Sequence, residues 1–67
     1  MRSQECLALE SAYRSAQSNA DYYFGALAGA MAAGDGDAVR EITGYLNEEL
    51  SVLEAVDGAM HTLNCYP

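Results

Sequence analysis

"MAAGDGDAVRE", residues 31–41, is the stretch on which the reading of this chain turns. Two acidic residues alternate with glycines here, inside a sequence whose only proline is Pro67. A ligand loop and a bend between two helices are the competing readings. A calcium loop requires Asp-x-Asp-x-Asp-Gly with a Glu at the twelfth position. Counting from Asp35, the fifth position is Val39 and the twelfth is Leu46, so that pattern fails. A phosphate loop requires Gly-Lys-Ser/Thr, and the acidic side chains here would repel phosphate. A bend asks for less. Gly34 suits a left-handed residue just beyond a first helix, and Asp35 or Asp37 can accept hydrogen bonds from the free N–H groups opening a second. Their negative charge also favours that end of the helix dipole. The stretch is a bend.

Outward from the bend, both flanks show helical periodicity. Cys6, Leu9, Tyr13, Ala16, Ala20, Tyr23, Leu27 and Ala30 follow one another at spacings of 3 and 4 in strict alternation. Phe24 and Met31 widen this stripe on one side. Val39, Ile42, Leu46, Glu49, Leu53, Val56, Met60 and Leu63 repeat the pattern, with Glu49 as one charged intruder. Such heptad stripes bury one seam of each helix against the other. The expected fold is all-α: an antiparallel two-helix hairpin in one domain spanning residues 1–67. The expected bounds are about 3–33 for the first helix, 34–37 for the bend and about 38–64 for the second.

A domain of 67 residues buries only about 60% of the surface its unfolded chain exposes. Chains this small often need a staple, a metal or a partner subunit. Apolar residues make up 51% of the chain, too many for a disordered tail. Ten Asp and Glu against three Lys and Arg give a net charge of −7, which argues against binding nucleic acid or an anionic membrane. The N-terminal "MRSQECLALES" has no continuous apolar core of the signal-peptide kind. The least polar run, "YYFGALAGAMAAG", is short of the roughly 20 residues a membrane span needs. The expected compartment is the cytoplasm.

Facing residues of the hairpin should have numbers adding to about 71, which sets Cys6 opposite Cys65 at the open end. A disulfide there would enclose nearly the whole chain, but a cytoplasmic setting favours two reduced thiols. With Cys6, Cys65 and His61 near the chain ends, no zinc-site spacing exists, and no metal or cofactor is expected. Glu49 in an apolar stripe must find a donor, and the Tyr23 hydroxyl is the nearest expected one. A contact from Glu49 to a charged group on a partner is the alternative.

No nucleophile, base or second acid accompanies His61 or Glu49, and two lone helices enclose no pocket, so an enzyme is not expected. Protein binding is the stronger class, because the apolar arc of the second helix is wider than one partner helix covers. Tyr45, Val52 and Ala59 lie one heptad apart beside the main stripe, and Leu50 lies on its other side. These four are the first candidate partner contacts. Tyr22, Gly25 and Gly29 form a second candidate surface on the first helix. Two glycines within a solvated helix cost about 1 kcal/mol each relative to alanine, which makes sense where another backbone approaches. A hairpin with such surplus surface completes a four-helix or larger assembly, as a homodimer or with another protein.

The segment "MAAGDGDAVREITGYLNEELSVLEAVDGAMHTL" resembles the second half of the small co-chaperone family of type III secretion needle subunits. The matching residues are Gly36, Asp37 and Ala38 at the bend, then Glu49, Leu53 and Glu54, then Val56 and Met60. The first half is similar in pattern only. This chain departs from the family by one extra bend residue and by having only Arg2, Arg14 and Arg40 as strong cations. The resemblance implies a cytoplasmic protein that pairs with a larger helical-repeat chaperone to hold the needle subunit before export. The competing expectation is a phage or mobile-element protein that binds and inhibits a host target as a hairpin dimer.

Overall fold

A computed structural model describes residues 3–66, so Arg2 lies outside the described residues. It consists of two antiparallel helices, α1 (Gln4–Ala33) and α2 (Gly36–Thr62). At about 1.5 Å per residue, a helix of 30 residues is roughly 45 Å long. The molecule is accordingly a rod of 49 × 15 × 15 Å.

Each helix starts and stops for a local reason. The Ser3 side chain accepts a 3.1 Å hydrogen bond from the Cys6 N–H, capping α1. Gly34 ends α1 in the left-handed conformation, φ 69°. The Asp35 N–H then reaches back to the Ala30 carbonyl at 3.0 Å, and the Gly34 N–H to Met31 at 3.1 Å, satisfying carbonyls the helix leaves open. Asp35 accepts from the Ala38 N–H at 3.1 Å and so caps α2. Asp37 sits in the first turn, where its charge suits the dipole, and forms an ion pair with Arg40. The bend is therefore Gly34–Asp35 alone, two residues shorter than the sequence suggested. Asp35 caps early enough that Gly36 and Asp37 are already helical.

The end of α2 repeats the device. Asn64 adopts a left-handed φ of 56°, and the Cys65 N–H donates to the Met60 carbonyl at 2.8 Å. This hook turns Cys65 back over α1, where it forms a disulfide with Cys6 across a Cα–Cα distance of 5.5 Å. The bond joins the two cysteines that the hairpin register sets opposite each other. Leu63 leaves the seam because the helix has already stopped at Thr62, and it is 47% exposed.

The core is thin. Cys6, Ala16, Ala20, Leu46, Met60 and Cys65 are buried, and Leu9, Tyr13 and Val56 pack against the cluster of Cys6, Met60 and Cys65. Alanines at 16 and 20 are only 3% exposed, so the small side chains that α1 places in its stripe are fully covered by α2. Every α1 stripe residue is at least half-buried, while Phe24 and Met31 beside it remain 51% and 65% exposed.

Candidate interaction surface

The surplus apolar side chains fall on two sides of the rod. At about 100° per residue, Val52 and Leu50 lie some 160° apart around α2, flanking the seam held by Leu46, Glu49 and Leu53. Tyr45 and Val52 share one side; Leu50 belongs to the other, with Phe24 and Met31 at the corresponding position of α1. The four proposed α2 contacts are therefore not one surface. Tyr45, Leu50 and Val52 are 44%, 41% and 43% exposed, whereas Ala59 is half-buried.

What the structure does join is Tyr22 to Tyr45. The Tyr23 ring stacks on Tyr45 with centroids 5.7 Å apart, and Tyr22 meets Tyr23 edge-on at 5.6 Å. Three tyrosines thus bridge the two helices on the Val52 side. Tyr22, at the outer end, is 72% exposed, the most exposed large apolar side chain described. Two surfaces expected separately, one on each helix, meet here.

Glu49 is half-buried beside this cluster. Its Oε1 accepts a long 3.4 Å hydrogen bond from the Asn19 amide, not from the Tyr23 hydroxyl. Tyr23 turns its ring onto Tyr45 instead, which explains the difference. The Tyr45 hydroxyl donates to Glu41 Oε1 at 2.9 Å, one turn back on α2. That acceptor, helped by the charges of Glu41 and Glu48, raises the Tyr45 phenol above its ordinary value.

Gly25 and Gly29 are exposed, and a Cβ added at either would meet nothing within 4 Å. Packing within the hairpin therefore does not call for glycine at these positions. Nearby α1 residues on the tyrosine side are small: Ala26 is half-buried, and Ala33 is exposed.

Near the disulfide, Glu10, Tyr13, Arg14, Met60 and Tyr66 line a shallow open depression. The Tyr66 hydroxyl donates to Asp57, and its ring lies 4.6 Å from that of His61. His61 also approaches Asp57 at 3.7 Å. Periodicity could not have shown this group, because Tyr66 lies beyond the last helical residue and the hook at Asn64 brings it back. Among the described residues, no cluster of His, Cys, Asp and Glu could hold a metal ion. No helix among them is long and apolar enough to cross a membrane. No family model, curated protein or solved structure matches the chain.

Proposed function

We propose that this hairpin is a non-enzymatic protein-binding module, an adaptor or co-chaperone subunit that completes a helical assembly with a partner. The supporting observation is the Tyr22–Tyr23–Tyr45 bridge beside Val52, which leaves large apolar surface uncovered on both helices at once. Tyrosine is favoured at interfaces because its ring is apolar and its hydroxyl tolerates water. The specific case is the co-chaperone of type III secretion needle subunits, supported by the resemblance of the second half. The Cys6–Cys65 disulfide weighs against the cytoplasmic setting of that case, since cytosolic thiols are kept reduced. The adaptor role does not depend on the compartment.

The test uses the disulfide-bonded protein and Val52→Asp as paired baits in an extract of the source cells. Wild type should retain a discrete partner that the variant loses, with helix content by circular dichroism unchanged. Identical capture by both baits, or none by either, would sink the reading. The identity of the retained protein separates a secretion chaperone from a host target.

A further inference from the structure

The described carboxylates are unevenly placed around the tyrosine face. On α2, Glu48 lies one turn before Val52 and Glu41 one turn before Tyr45, so both border the same side. The Tyr45–Glu41 hydrogen bond confirms that side for Glu41. Glu49 sits between them and the seam, half-buried. On α1 the positions across from Glu41 to Val52 are Asn19, Tyr22, Ala26 and Gly29, all uncharged.

No described cation answers these carboxylates. Arg14, Arg40 and His61 occupy the far flank of their helices, Arg40 pairs with Asp37, and His61 approaches Asp57. A second copy docking through this face would therefore bring only more negative charge to it, in a chain that already carries −7. An occupant that matches both the apolar centre and the acidic border must supply its own cations.

Resting on the protein-binding reading above, we propose that the face of Tyr22, Tyr45 and Val52 docks a basic amphipathic helix of another protein. Its apolar side lies on the tyrosines, and its Lys or Arg side chains meet Glu41 and Glu48. The exposed Tyr22 ring offers a further seat for a cation over its face. The glycines at 25 and 29 leave the adjoining stretch of α1 low enough for the incoming helix to come close.

The probe is a pair of labelled helical peptides with the same leucine stripe, one with lysine and one with glutamate on the polar flank. Fluorescence anisotropy with the disulfide-bonded protein should show saturable binding of the lysine peptide, weakening as salt rises, and none of the glutamate peptide. Glu41→Gln with Glu48→Gln should weaken binding by roughly fivefold, as expected for losing two exposed ion pairs. Glu54→Gln, on the far flank, should leave it unchanged. Equal binding of both peptides, or no binding of either, overturns the basic-helix proposal. If the baits nevertheless retain a partner that Val52→Asp loses, the adaptor reading stands and only the occupant is wrong. If instead light scattering shows a dimer that Val52→Asp dissociates, the occupant is a second copy.

Discussion

Tyr66 shows how much one side chain beyond a helix can register. Its phenol is pushed up to about 12 from 10.0, chiefly by donating to Asp57, then by burial and by the charge of Asp57. A raised value means that the folded state holds the proton more tightly than the unfolded chain does. The contribution to stability is therefore complete below pH 10 and lost as pH climbs from 10 towards about 12. In a tyrosinate absorbance titration, Tyr66→Phe should remove the phenol that ionises at about 12 and leave helix content at neutral pH unaltered. An unchanged titration end in that variant would contradict the assignment. Glu49 teaches the complementary lesson at this scale. Its position in the seam was legible from spacing, but its donor was not, because the choice between Asn19 and Tyr23 depends on where the Tyr23 ring finds an aromatic neighbour.

At the scale of the elements, the glycines of α1 separate stability from binding. Since a Cβ at Gly25 or Gly29 meets nothing, Gly25→Ala and Gly29→Ala should each stabilise the hairpin by about 1 kcal/mol. Thermal melts should rise by several degrees in each variant. Weaker binding of the lysine peptide in the more stable variants would show that the low surface serves the partner. The helices themselves were readable, because a 3,4 alternation needs no knowledge of the partner. Their ends were less so. Asp35 and Asp37 are both competent caps by residue type, and only the observed Asp35–Ala38 bond decides between them. Leu63 fits the stripe by number, yet it is the cap that follows the last helical residue, Thr62. The tyrosine bridge was half legible: period placed Tyr22 and Tyr45 on outer faces, but it could not show that the two faces adjoin.

For the whole molecule, the six buried residues among those described make a small core, and the disulfide supplies much of the remaining constraint. Cys6 and Cys65 are 59 residues apart, and closing a loop of that length stabilises by about 4 kcal/mol on the chain-entropy model. That is comparable to the whole stability expected of so small a core. Reduction should lower the melting midpoint by on the order of 20 °C, followed by circular dichroism with and without reductant. A midpoint indifferent to reductant would mean that helix packing alone holds the hairpin. The bond also has a topological side. The helices are joined twice, by a two-residue peptide link at one tip and by sulfur at the other. The exposed Gly34–Asp35 link is consequently dispensable for keeping them together. A protein nicked there should run as one species without reductant and as two fragments with it, and before reduction it should still display the tyrosine face.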